Sequence, residues 1–388
     1  MGRNAAIVAV GQTKHAAKRL DVSIAEMVRE AVDACLGSKE LTFADIDAVV
    51  VGNMELFEGI NQPELLMVAS LGAVGKPVYK MNTGGTVGAS AAICAEHLVS
   101  SGLHDVVLTI GYEKQSEGET QSAITTVGDP AWERAVMAGA IGNFAVMAST
   151  YVDRSGVTPE QAAKVAVKAR TNACLNPYAH LQIADITVED VLKSRVLAAP
   201  LKLLDMCPQS DGACAVVVAS EERATQITPR PSWIVSSATA HDQQFMGDSP
   251  ARIADHRSLQ AASQKAYAAA GITDPRQDFD VVEVYEPATY AELAMLENLG
   301  FCAPGDGGTL IDDGVTLIDG PMPVNPSGGV LATNPVGATA LIRVAEAALQ
   351  VMGEAEGGHQ VPDVNWALAT GYGGNAWTDV MVMTGERP

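Results

Sequence analysis

An internal duplication restricts this chain more than any other feature. Its first 55 residues read strand, helix, strand: AAIVAVGQT, SIAEMVREAVDACL, DIDAVVVGN. Far downstream, SLQAASQKAYAAAG leads into DFDVVEVYE. The helix from Ser23 matches the one from Ser258, and Asp47 matches Asp280, at a nearly constant offset. A second pair follows in the same order. NTGGTVGASA from Asn82 recurs as NPSGG…NPVGATA from Asn325 to Ala340. Each copy then runs through a small-residue helix to a strand ending in Gly-Tyr, DVVLTIGYEK and NWALATGYGG. Two matched pairs in one order define a tandem repeat of a single α/β unit.

The strands are β-branched and alternate with helices, the pattern of sheets covered by helices. Alanine and glycine on GASAAICAEHLVSSG and GATALIRVAEAALQVMG let two helices approach closely at the centre. Both helices start at glycine turns. Those turns therefore direct unpaired N–H groups and positive dipole ends toward one shared cleft. The most exposed positions of the first turn, Gly84 and Gly85, have no side chain, so the turn offers backbone rather than a nucleophile. Three units follow: residues 1–116 with 205–225 form the N-terminal half, 226–388 the C-terminal half, and 117–204 an inserted loop or lid subdomain over the cleft.

Composition narrows the partners. A net charge of −21 argues against nucleic acid and anionic membrane surfaces, although local N–H groups still bind a small anion. Six cysteines without C-x-x-C or zinc spacing point to reduced thiols, no metal and a cytoplasmic protein. The chain starts into an apolar strand without a cleavage-type signal, and no uncharged apolar run approaches the ~18 residues of a membrane span. NTGGTVG lacks the spacing of a dinucleotide fingerprint, and neither a P-loop nor a G-x-S-x-G elbow is present.

VAVKARTNACLNP, CPQSDGACAVVVAS, FMGDSPARIA, VVEVYEPATYAELAMLENLG, PVNPSGGVLATNPVGATA and GYGGNAW together make the chain resemble the thiolase superfamily over essentially its whole length. Within it, the chain is similar to the lipid-transfer-protein branch related to sterol-carrier-protein thiolases. The resemblance implies a thiolase fold: duplicated βαβαβαββ halves in a five-layered α-β-α-β-α arrangement with an inserted loop subdomain. Thiolases carry a nucleophilic Cys in the first glycine turn; here Gly85 stands there. Cys94, nine residues on, reads as a small core residue of the helix. The thiolase His and second Cys are replaced as well, with Asn334 and Thr370 in the corresponding segments. Loss of the Cys removes the acyl-enzyme route.

Retro-aldol cleavage of a β-hydroxyacyl-CoA needs no covalent intermediate. It needs a base for the β-hydroxyl proton and donors for the thioester enolate. The resembled branch includes retro-aldolases acting on steroid side-chain CoA thioesters, in which tyrosines replace the thiolase acid/base residues. That implies Tyr285 and Tyr372 as catalytic residues, with Asn334, Glu286 and His241 beside them. Gly85, Thr86, Gly328, Gly329 and Gly373 would bind substrate or oxyanion. No cofactor is implied beyond coenzyme A as part of the substrate. The implied partners are a second copy in a homodimer and an OB-fold/zinc-ribbon subunit completing a heterotetramer. Plainer uses stay open: Tyr285 as a core tyrosine, Gly-Tyr as a structural strand end shared with Tyr112, Asn334 as a helix cap, Glu286 as an orienting group, His241 as a solvated loop histidine. A thiolase-type acyltransferase and an inactive acyl-CoA-binding subunit are the alternative functions.

Overall fold

The computed structural model describes residues 2–137, 139–243, 254–374 and 377–388. Most of the FMGDSPARIA stretch, and Asn375 and Ala376 of GYGGNAW, lie outside the described residues. Eleven strands are present among them: β1 (Ala5–Gln12), β2 (Ala48–Gly52), β3 (Val78–Met81), β4 (Val106–Lys114), a small hairpin of β5 (Val196–Ala198) and β6 (Leu201–Lys202), then β7 (Asp211–Ser220), β8 (Ser232–His241), β9 (Val281–Glu283), β10 (Trp366–Tyr372) and β11 (Trp377–Thr384). Nine of them form one mixed sheet in the order β3-β2-β4-β7-β1-β8-β11-β10-β9. Val324 bridges Val282 in parallel at the β9 edge, where β3 stands in the other half. The two halves thus repeat one strand order. They meet where β1 pairs with β8, at Ala6↔Trp233 and Ile7↔Ser232.

The repeat extends to single hydrogen bonds. Asp47 Oδ2 accepts the N–H groups of Asp105 and Val106 at the start of β4, both at 2.9 Å. Asp280 Oδ2 accepts those of Asn365 and Trp366 at the start of β10, both at 2.8 Å. Each aspartate satisfies amides that would otherwise enter the sheet unpaired.

Helix α1 (Ile24–Gly37), started by a Ser23–Glu26 capping box, covers the outer face of β1 and β7. Helices α2 (Val87–Ser100) and α7 (Val336–Met352) touch strands of both halves and each other, forming the central layer. Helix α5 (Arg257–Ala270) covers β8 and β11 from the far side. The five layers follow from where the small residues fall. α2 buries Gly88, Ala89, Ala91, Ala92 and Ala95, so it is apolar nearly all round, as a central helix must be. A Cβ at Gly88 would sit 2.4 Å from the backbone nitrogen of Leu341 on α7. Gly88→Ala is therefore expected to force α2 and α7 apart and lower stability by about 1–3 kcal/mol in a urea titration.

Between the halves, α3 (Gly139–Ser155) and α4 (Pro159–Ala173) form most of the inserted segment, followed by the β5–β6 hairpin. α4 packs on α6 (Thr289–Asn298) and on the short helix Gly329–Ala332, and α3 also packs on α6. A buried Lys168–Glu292 pair at 2.5 Å ties α4 to α6. The insertion thus lies against the C-terminal half beside the end of β9, which is where the cleft opens. No helix among the described residues is long and apolar enough to cross a membrane.

Candidate active site

The site forms where the first glycine turn meets the ends of β9 and β10. Gly371 abuts this turn: a Cβ there would lie 2.2 Å from Thr86 Oγ1. Gly111, its repeat counterpart, abuts the start of α7 through Gly337 and Ala338. Each Gly-Tyr strand end is therefore shaped to receive the other half's central helix. The two tyrosines then diverge. Tyr112 is buried in the outer core with α1, while Tyr372 faces the central cleft.

Gly85 sits against both predicted tyrosines. A Cβ at this position would be 2.6 Å from the Tyr372 carbonyl oxygen and 3.4 Å from Tyr285 Oη. A side chain does not fit there without moving backbone. The space is occupied from the opposite side by a phenol. Tyr285 follows β9, and its N–H donates to Thr370 Oγ1 at 2.9 Å, so the residue in the second-cysteine segment positions the tyrosine backbone. The Tyr285 and Tyr372 ring centroids are 6.2 Å apart. Tyr285 Oη also meets Thr339 in the first turn of α7, whose Oγ1 donates to Asn334 Oδ1 at 2.8 Å. The tyrosine thus lies between the beginnings of α2 and α7.

Thr86 is pinned by its side chain. Its hydroxyl and that of Ser90 donate to Asp379 Oδ2, at 2.8 Å and 2.5 Å, fixing the turn on β11. Neither Thr86 before α2 nor Pro335 before α7 makes a side-chain cap. At α2 the Val87 N–H is bonded to Gly84 O and the Ala89 N–H to Thr86 O, so among the first-turn amides it is the Gly88 N–H, at the positive dipole end, that remains for an oxyanion pocket. Three predicted donor glycines differ. Gly328 N–H bonds to Asn325 O, Gly329 N–H to Ser327 Oγ and Gly373 N–H to Trp377 O, so these amides are already engaged. Their absent side chains matter for close packing instead. A Cβ at Gly328 would meet Ala173 at 2.8 Å, one at Gly329 would meet Glu286 Oε1, and one at Gly373 would be 2.9 Å from Thr83 O.

Asn334 does not cap α7 through its side chain; its Nδ2 donates to Cys207 Sγ at 3.2 Å. Cys207 reaches the site on the return from the insertion and received no role from sequence spacing. Desolvation, reinforced by Glu286, pushes its thiol up to about 12. Glu286 is fully buried, with Oε1 accepting the Leu331 N–H at 3.0 Å. Burial, with Glu292 adding, pushes its carboxyl up to about 8 against the opposing charge of Arg343. Burial also raises both phenols: Cys207 adds to the effect on Tyr285, and Tyr285 adds to that on Tyr372. Both tyrosines and Glu286 are therefore mainly protonated at neutral pH, and so poised as donors. His241 is exposed at the end of β8, its ring 4.2 Å from that of Trp377, and no contact joins it to Tyr285 or Tyr372 among the described residues.

A narrow apolar cleft, with a cavity volume of about 10 Å³, lies beside Tyr372, walled by Phe144, Met147, Ala148 and Tyr151 of α3 and by Tyr290, Ala291 and Ala294 of α6. Tyr372 Oη donates to Met147 Sδ at 3.6 Å. His256 lines the same cleft, with its ring centroid 5.9 Å from Tyr372. The sequence signal for it was slight: a histidine immediately before a helix, where Ser, Thr, Asp or Asn is the usual choice. The described residues contain no cluster of side chains able to hold a metal ion.

Residues 4–222 match the family profile of the thiolase N-terminal domain, and residues 238–386 that of the thiolase C-terminal domain-like unit. The acetyl-CoA acetyltransferase of Methanothermobacter thermautotrophicus is 34% identical over 386 residues, 97% of this chain and 98% of that protein. Sterol carrier protein 2 of Rattus norvegicus is 29% identical over 389 residues, 95% of this chain and 70% of that protein. The solved Ltp2-ChsH2(DUF35) aldolase is similar with a TM-score of 0.85 and 27% identity, covering 100% of this chain and 99% of that one. Human mitochondrial 3-ketoacyl-CoA thiolase shares the fold at a TM-score of 0.76 and 16% identity, over 99% of each chain. The duplicated halves, the paired central helices and the glycine turn between them are thus a family inheritance: the chain belongs to the thiolase superfamily and is like its sterol-carrier-protein thiolases.

Proposed function

We propose that the protein cleaves the Cα–Cβ bond of a β-hydroxyacyl-CoA by a retro-aldol reaction, releasing a shorter acyl-CoA and a carbonyl product. One observation carries this reading. At the turn where an acyl-enzyme would form, Gly85 leaves no room for a side chain and faces the Tyr285 hydroxyl instead. A base takes the β-hydroxyl proton, the Cα–Cβ electron pair passes into the thioester enolate, and a phenol returns a proton to Cα. The Gly88 amide at the start of α2 holds the enolate oxygen, a geometry that works without sulfur. The apolar lining of the cleft supports an apolar acyl group, such as a steroid side chain. Similarity to the Ltp2-ChsH2(DUF35) aldolase supports both the reaction and a separate partner subunit; a partner of the OB-fold/zinc-ribbon type, a homodimeric core and a cytoplasmic setting complete the proposal.

The 34% identity to an acetyl-CoA acetyltransferase favours acyl transfer as the second reading. That reaction needs an activated thiol, and Cys207, the thiol beside Asn334, is pushed away from the thiolate. Iodoacetamide at pH 7 is accordingly expected to leave cleavage intact. Inactivation protected by substrate would indicate a working thiol. The deciding assay incubates the purified protein, with and without the partner subunit, with a panel of β-hydroxyacyl-CoAs and with 3-ketoacyl-CoA plus CoA. Cleavage of the first set without thiolysis of the second supports the aldolase; thiolysis alone supports the transferase; tight binding without turnover indicates an inactive subunit.

A further inference from the structure

The proposed cleavage leaves one role unfilled. Tyr285, Tyr372 and Glu286 are all held in their proton-bearing forms by burial. A reaction that begins by removing a hydroxyl proton needs a group that is empty at neutral pH and faces the substrate. His256 is buried, only 2% exposed, yet its imidazole lines the apolar cleft. Among the described residues it is the only histidine lining this cleft, and its ring centroid is 5.9 Å from that of Tyr372. Its Nδ1 is buried without a hydrogen-bond partner among the described residues, a cost that a substrate hydroxyl in the cleft would remove. Its backbone is left-handed, at φ +40°, directly before α5. It makes no side-chain cap for that helix, so capping does not explain it. A strained backbone and an unsatisfied imidazole together resemble a residue kept for chemistry.

We propose that His256 is the general base of the cleavage, a role that rests on the retro-aldol reading. An imidazole nitrogen takes the β-hydroxyl proton as the oxygen forms the carbonyl. The Cα–Cβ pair becomes the enolate, and a site tyrosine protonates Cα. The imidazolium then returns its proton to the resulting phenolate. The cycle closes with no net proton, oxidant or co-reactant.

The electrostatic setting fits this role. Burial holds the imidazole down to about 4, opposed only by the Asp255 charge, so it is neutral at pH 7. Among the described residues, the other titratable groups that share its cleft are the phenols of Tyr372, Tyr151 and Tyr290. Asp255 itself is engaged by Arg154 and Arg257.

The test compares wild type with His256→Gln and His256→Asn, the latter because Asn tolerates a left-handed backbone. Both variants are expected to keep their melting temperature and their affinity for a non-cleavable acyl-CoA, and to lose ~10²-fold or more in kcat. Added imidazole should restore part of the rate. The acid limb of the wild-type kcat profile, where activity falls as the base becomes protonated, should vanish from the residual activity of the variants. If wild type cleaves β-hydroxyacyl-CoAs and either folded variant cleaves at a similar rate, His256 is not the base and the aldolase reading still stands. If wild type cleaves no member of the panel, both fall.

Discussion

Tyr285→Phe and Tyr372→Phe are each expected to lower kcat for β-hydroxyacyl-CoA cleavage by ~10²-fold or more while leaving substrate affinity nearly unchanged, the signature of a lost proton donor. The change removes one oxygen from a well-packed ring. Both residues are buried, at 4% and 3% exposure, and both rings keep their apolar contacts as phenylalanine. Tyr285→Phe removes the hydroxyl that faces Gly85, where the enolate is proposed to form. Tyr372→Phe removes the hydroxyl that donates to Met147, which lines the apolar cleft. Single-turnover measurement of the shorter acyl-CoA separates chemistry from product release. Normal cleavage by both variants would remove the tyrosines from the mechanism.

Arg343→Met is expected to cost about 3–5 kcal/mol of stability, because it leaves a buried carboxylate without its cation. Arg343 rises from α7 and pairs with Glu283 at the end of β9, both almost fully buried. The Ser327 hydroxyl accepts from Arg343 Nη1 at 2.7 Å and donates to Glu283 Oε2 at 2.9 Å. Three segments meet in this network: the central helix, the strand that leads to Tyr285, and the second glycine loop. Burial pushes the Glu283 carboxyl up, and Arg343 and Ser327 oppose it. The double variant Glu283→Leu with Arg343→Met should recover much of the loss, since two apolar groups replace two matched charges. Urea titration of the four members of the cycle reads this directly. A loss equal in the single and double variants would show that packing, rather than the uncompensated charge, dominates.

The fold was largely legible because duplication writes the same physical solution twice. Asp47 and Asp280 could be aligned by sequence, and each caps the corresponding strand. Gly88, amid small residues, marked the helix contact that only a missing Cβ allows. The tyrosines were legible through their strand ends and the family resemblance. The rest of the site was not, for a common reason. Phe144, Met147, Cys207 and His256 reach the cleft from the insertion, from its return and from the segment before α5, so tertiary folding alone brings them to Tyr372 and Asn334. Nothing in spacing predicts such encounters. Gly328, Gly329 and Gly373 show a use that spacing did not reveal. A glycine-rich loop was read as a source of free amides, whereas these three spend their N–H groups internally and use their missing side chains for close approach. His241 was placed by its segment, and at the end of its strand it is exposed with its ring against Trp377.

The central claim is that carbon–carbon cleavage here proceeds with nothing attached to the polypeptide. Rapid acid quenching during steady-state turnover of a β-hydroxyacyl-CoA, followed by intact-protein mass spectrometry, tests it most directly. The account predicts the unmodified mass at every time point while product accumulates. A protein population heavier by the acyl group, appearing and decaying with turnover, would contradict it.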